Sequence, residues 1–140
     1  MPTQFRKETM AGYSGTPLLK KLGIKEGHRV LLVNAPTGLP EELQGFAKAK
    51  PEKNFDVVLF FADSVEAFRA EFGALTNAVR AEGMLWVAWP KKSSGVRTDL
   101  NENVIRDHAL KTPFVDIKVC AIDDTWSGLK LVIRKELRKS

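Results

Sequence analysis

Two segments concentrate side chains that could do chemistry: Trp89 to Asp99, which reads WPKKSSGVRTD, and Asp123 to Ser127, which reads DDTWS. The first joins the end of an apolar run to the start of a helical pattern. Its Lys91, Lys92 and Arg97 supply positive charge, Ser93 and Ser94 supply hydroxyls, and Gly95 lets the backbone turn tightly. With the N–H groups of a helix start, this set suits an anion such as phosphate or carboxylate. Asp99 works against an ideal phosphate nest, because at the N-cap it would offer the helix an internal anion. The same letters also suit a polar surface loop. In the second segment Asp123 and Asp124 could hold a metal or act as a general base. They serve equally well as turn formers and Asx caps. Trp126 offers a flat stacking platform beside Ser127, or a plug for the sheet edge.

Other candidates are sparser. Asn34-Ala35-Pro36-Thr37-Gly38 follows an apolar run, where a dinucleotide fold would carry G-x-G-x-x-G. The glycines that would let a backbone approach a pyrophosphate are missing, so no cofactor motif is legible and only Asn34 is retained as a ligand contact. Asp63 stands where a ribose-binding acid would be sought, but Asp63-Ser64-Val65-Glu66 reads as a helix-capping sequence. His28 and His108 fall outside both segments, and one cysteine, Cys120, cannot build a four-ligand zinc site with them. No metal site and no Ser-His-Asp or Cys-His pair is indicated. Cys120 itself reads as a buried strand thiol. Near the N-terminus, Tyr13 and Ser14 lie in a glycine-flanked loop that could fold over a site as a lid, or simply precede a capped helix.

The elements that must position these residues follow from hydrophobic spacing. Thr16 to Gly23 reads as a short helix, with Pro17 in its first turn and Gly23 as a left-handed stop. Val30 to Val33, Val57 to Ala62 and Met84 to Trp89 are unbroken apolar runs, the mark of strands buried on both faces. Pro90 ends the third because proline cannot donate into a central ladder. Pro40 to Lys50 is helical for at most two or three turns around Gly45. Val65, Phe68, Phe72, Leu75 and Val79 recur at helical steps, ending near Arg80. Asp99 and Glu102 open a last helix with Leu100, Val104 and Ile105 on its buried side. Val115, Ile117, Val119 and Ala121, then Leu129, Leu131 and Ile133, alternate with mostly polar residues. With Asp123-Asp124-Thr125 as the turn between them, these are the strands of an antiparallel hairpin.

The expected fold is α/β: a three-layer Rossmann-like sheet, mostly parallel, of about five strands with a C-terminal antiparallel hairpin. Loops at the strand carboxyl ends would converge there as the site. The chain of 140 residues fits one domain, with residues 1–11 as a flexible arm and 136–140 as a basic tail. Hydrophobic content of 44% and charged content of 28% exclude a disordered or fibrous chain. The start lacks the apolar core of a signal peptide and no apolar run is long enough for a membrane helix, so a cytoplasmic protein without membrane association is expected. Net charge is +5, but Arg134, Lys135, Glu136, Arg138 and Lys139 contribute +3 of it. A solvated basic tail is weaker ground for nucleic-acid binding than a basic face, and nucleic acid is not expected as a partner.

Gly12-Tyr13-Ser14-Gly15-Thr16-Pro17-Leu18, Asn34-Ala35-Pro36, Trp89-Pro90-Lys91-Lys92 and Thr125-Trp126-Ser127-Gly128 together resemble an uncharacterised bacterial family of short proteins, a domain of unknown function. The resemblance spans Gly12 to Lys135, and members often carry Glu where this chain has Asp124. It implies no established activity. Leu22 to Leu31 and Gly83 to Val87 are also similar, more loosely, to class I methyltransferases around their first strand and the strand after their fourth helix. That likeness implies a shortened methyltransferase-like topology. Asn34-Ala35-Pro36 replaces the glycine-rich turn of that family, and the chain before Asp56 is too short for the two strands that would carry the ribose-binding acid. A standard S-adenosylmethionine pocket is therefore not implied.

These readings converge on a non-catalytic or regulatory domain. It would bind a small anionic ligand or a protein partner, a second copy included, at the strand carboxyl edge. Two alternatives stay open: an enzyme using Lys91 with Asp123 or Asp124 as acid-base groups, and weak nucleic-acid binding through the C-terminal tail.

Overall fold

The structure is a computed structural model that describes residues 16–48 and 53–138. In chain order its elements are α1 (Thr16–Leu22), β1 (Val30–Val33), α2 (Glu41–Gln44), β2 (Ala47–Lys48), β3 (Phe55–Phe61), α3 (Val65–Thr76), β4 (Val79–Pro90), α4 (Glu102–Ala109), β5 (Phe114–Ala121) and β6 (Trp126–Ile133). Single 3-10 turns at Lys92–Ser94 and Lys135–Leu137 follow β4 and β6.

The strands form one six-stranded sheet in the order β2-β1-β3-β4-β6-β5. β2, β1, β3 and β4 are parallel, and β6 runs antiparallel between β4 and β5. The unbroken apolar runs have the expected cause. All four residues of β1 are buried, as are Val57 to Phe61 of β3 and Leu85 to Trp89 of β4, because helices cover both faces. On one face Phe68, Phe72 and Leu75 of α3 and Ile105 and Ala109 of α4 pack on Val58, Phe60, Leu85 and Val87. On the other, Leu18 and Leu22 of α1 and Leu43 of α2 pack on Val57, Leu59, Phe61 and Trp86. Trp86 is fully buried, and its indole N–H donates to the Leu22 carbonyl at 3.0 Å, fixing the end of α1 on the sheet.

Several elements depart from the sequence reading. The sheet has a sixth strand, β2, where helix was expected to continue: α2 makes a single turn before Gly45, and Ala47 and Lys48 pair with Leu31 and Leu32. α3 stops at Thr76 rather than near Arg80, and Val79 instead begins β4 beside Phe55. The pattern misleads there because Ala78 and Val79 are apolar in either structure. Residues 80–83 of β4 bulge opposite Asp56, whose carboxylate accepts the Arg29 N–H (2.8 Å) and pairs with Arg80 (3.2 Å), which clamps the amino ends of β1, β3 and β4.

The alternation in β5 breaks as well. A bulge between Asp116 and Lys118 inserts Ile117, and β5 lies at the sheet edge. Ile117 (52% exposed) and Val119 (42%) therefore face outward, and Ala121 is exposed, where an inward stripe was expected. Cys120 is half-buried on the same edge strand rather than fully buried.

The basic tail is not simply solvated over its described part. Arg134 donates to the carbonyls of Thr112 and Leu110, capping the chain just beyond α4, and Arg138 donates to Ile133. Lys139 and Ser140 lie outside the described residues, as does the whole N-terminal arm. Among the described residues no helix is long and apolar enough to cross a membrane.

Candidate functional site

The carboxyl ends of the parallel strands carry Asn34 to Pro40 after β1, Ala62 to Ser64 after β3 and Lys91 to Asn101 after β4, with the β5–β6 turn beside them. From β1 the chain moves outward to β2 and then returns to β3 on the other side. The strand order thus reverses between β1 and β3, where an open α/β sheet leaves a crevice for ligand. Asn34 and Asp63 flank that crevice, and the Lys91 loop stands one strand further along.

Hydrogen bonds bring these segments together. The Lys91 N–H donates to the Thr125 carbonyl (2.7 Å), joining the β4 loop to the hairpin turn. Thr98 Oγ1 donates to the Asp63 carbonyl (2.7 Å), and the Val65 N–H donates to Asp99 Oδ1 (2.8 Å). Asn34 takes up a left-handed conformation (φ 57) and donates from Nδ2 to Glu71 of α3 at 2.6 Å, across the switch point.

The carboxylates divide into two groups. Asp99 does not cap α4 as expected. Asn101 does so, accepting from Val104, while Asp99 reaches across to the first turn of α3. Asp63 is likewise not the cap of α3. Ser64 caps it through Ala67, and the Asp63 side chain points to solvent. Asp123 accepts from the N–H groups of both Thr125 and Trp126 at 2.8 Å, an Asx turn that occupies one of its oxygens. Asp63 and Asp124 make no side-chain hydrogen bond or ion pair to any described residue, so they are the uncommitted acids of this edge.

The cations are less committed still. Lys91 is half-buried, and Lys92 and Arg97 are exposed; none forms an ion pair or side-chain hydrogen bond among the described residues. The hydroxyls differ: Ser94 Oγ donates to the Lys91 carbonyl (2.6 Å) and accepts from Val96, whereas exposed Ser93 has no such bond. Ser94 thus shapes the loop, its hydroxyl proton spent on the Lys91 carbonyl. Gly95, at φ 81, closes the 3-10 turn in a conformation that a side chain would resist. The N-termini of α3 and α4 both hold side-chain caps, so an anion here would be held by side-chain charge more than by helix N–H groups.

Trp126 is half-buried. Its ring meets Phe61 edge-on at 5.2 Å and packs against the α1-side core, so it closes the sheet edge at least as much as it offers a platform. Ser127 sits in the ladder between Trp89 and Ala121. Tyr13 and Ser14 lie outside the described residues. His108 packs between Phe68 and Phe72 (5.2 Å to each), away from this edge, where burial and then nearby Arg69 and Lys111 push its pKa down. His28 accepts from the Lys25 N–H in the turn before β1. Among the described residues no group of three or more His, Cys, Asp or Glu is placed to hold a metal.

Sequence reasoning missed Glu71, Thr98 and Asn101. Asn101 has the signal of a short polar acceptor three residues before Val104, masked by Asp99 nearby. Glu71 has none, because its partner is remote in sequence.

Comparison with solved structures shows what carries a sheet of this order. LepI in complex with SAM matches with a TM-score of 0.50 and 12% identity, over 86% of this chain and 40% of LepI. DhpI in complex with SAH matches with a TM-score of 0.51 and 11% identity, over 84% of this chain and 87% of DhpI. The architecture is a methyltransferase-like Rossmann fold. At these identities the likeness is one of fold, and this chain spans about two-fifths of the length of LepI. No family model matches the chain, and no curated protein matches it. The resemblance to the uncharacterised bacterial family therefore rests on its motifs.

Proposed function

We propose that the chain binds a small anionic ligand of the nucleotide or phosphate class at the carboxyl edge of its sheet, with Lys91, Lys92 and Arg97 taking the anionic group. The observation that carries this reading is the unequal commitment of charge at the edge. Asp99 on the same loop and Asp123 in the hairpin turn bonded to it are spent on backbone N–H groups, while the three cations have no acidic partner among the described residues. Ser93 on the same loop, and the crevice residues Asn34 and Asp63 on neighbouring loops, can orient a polar ligand. LepI and DhpI were found with SAM and SAH, which favours adenosyl compounds as the first ligands to try.

The reading is tested by mapping amide NMR perturbations with S-adenosylhomocysteine, nucleotides and sugar phosphates. A bound ligand should perturb residues 91–97 first, and Lys91→Ala with Lys92→Ala should abolish the effect while leaving the rest of the spectrum unchanged. Perturbations confined to other parts of the molecule would refute the assignment.

A second reading, an enzyme with Lys91 and an acid as proton-transfer groups, is favoured only for Asp124, since Asp123 is held in its turn. It requires turnover that Asp124→Asn abolishes with ligand binding retained.

A further inference from the structure

The hairpin carries a second concentration of positive charge, on the sheet face that α1 covers and not on the carboxyl edge. In the β5–β6 ladder Lys118 stands directly opposite Lys130. Like charges in that position repel, and sheets ordinarily avoid them. Lys130 is half-buried, with its Nζ beside Gly23, 3.9 Å from where a Cβ at that residue would stand. Burial first, and Lys118 second, push its pKa down, while Cys120 acts weakly the other way. From the last turn of α1, Lys21 donates to the Ala121 carbonyl at 3.3 Å, and the Lys21 carbonyl lies 3.9 Å from the Cys120 thiol. The end of α1 is thus held over the same strand. Among the described residues no carboxylate pairs with Lys21, Lys118 or Lys130, although the fold exposes acids elsewhere.

A half-buried ammonium directly opposite another is unfavourable without a counter-charge. A compact dianion relieves both at once, and ammonium groups bind phosphate oxygens well as point charges. We infer that the α1-side face of the β5–β6 hairpin is a second anion site, where Lys118 and Lys130 hold the phosphate group of a small ligand and Lys21 adds positive charge further along the same strand. Gly23 stands at the rim of this site, where a Cβ would crowd Met84 at 3.1 Å and touch the Lys130 Nζ at 3.9 Å.

The test uses the full chain and inorganic pyrophosphate as probe, followed through the side-chain NMR signals of the lysines. Binding should move the Lys130 titration upward, toward the ordinary lysine value. Affinity should fall about tenfold in Lys130→Met and in Lys118→Gln, an exposed position whose replacement leaves the core untouched. Lys91→Ala with Lys92→Ala should leave this affinity unchanged, which separates the site from the one proposed above. An unmoved Lys130 signal, or equal affinity in Lys118→Gln, would overturn the proposal. So would an oligonucleotide that perturbs these lysines while pyrophosphate does not, since the face would then be a nucleic-acid surface.

Discussion

The carboxylate of Asp99, on the loop after β4, accepts the backbone N–H of Val65 in the first turn of α3 at 2.8 Å. With Thr98 bonded to the Asp63 carbonyl, this contact latches the lysine-bearing loop to the neighbouring strand end. Asp99→Ala is expected to cost about 1 kcal/mol of stability, as for loss of a helix cap. Hydrogen exchange should speed up at residues 65–68 while the start of α4 stays protected by Asn101. Faster exchange at α4 and not α3 would show that Asp99 caps its own helix.

His108 makes stability depend on pH. Its folded pKa lies below the unfolded value because burial, Arg69 and Lys111 all disfavour the imidazolium. The unfolded chain therefore takes up the proton first. The stability contributed by neutral His108 is present above about pH 6.5 and is lost as pH falls from there through the folded pKa. Urea unfolding of the wild type should weaken relative to His108→Gln between about pH 7 and pH 5. A constant difference between the two proteins would contradict this.

Lys130 has the same sign at a higher pH: its ammonium is disfavoured in the folded state, so at neutral pH it opposes folding. Lys130→Met should raise the unfolding temperature at pH 7 in the absence of anions, and the gain should shrink as pH rises toward the lysine range. A lowered midpoint would mean that the ammonium is favourably placed in the sheet.

Gly83 is constrained by packing. A Cβ there would approach the Asp56 carbonyl at 2.7 Å and Val79 Cγ1 at 2.8 Å, within the β4 bulge opposite the Asp56 clamp. Gly83→Ala should destabilise by about 1 to 3 kcal/mol in denaturant unfolding. Gly73→Ala, where a Cβ meets nothing within 4 Å, is the matched control and should be neutral or slightly stabilising.

Strands β1, β3 and β4 are legible in the sequence because burial on both faces leaves unbroken apolar runs, and the hairpin is legible because its turn residues are specific. The bulge that turns Ile117 and Val119 outward is not, since alternation does not reveal one extra residue. β2 is invisible because two residues give no period. At the candidate site, composition locates Lys91, Lys92 and Arg97. The partners of Asp99 and Asn34 depend on strand order, which brings together Val65 and Glu71 from other segments. Residue type could not say which acids were already spent on backbone N–H groups.

Anion binding at the Lys91 loop is tested most directly by thermal unfolding of the chain and of its Lys91→Ala, Lys92→Ala variant with SAM, SAH, nucleotides, sugar phosphates and simple anions. A ligand at 100 times its Kd adds ~2.7 kcal/mol, roughly 10 °C for a chain of this size. The predicted result is a shift of that order with at least one anionic compound in the wild type and none in the double variant. An equal shift in both proteins, or no shift with any compound, would contradict a small-anion site at this edge.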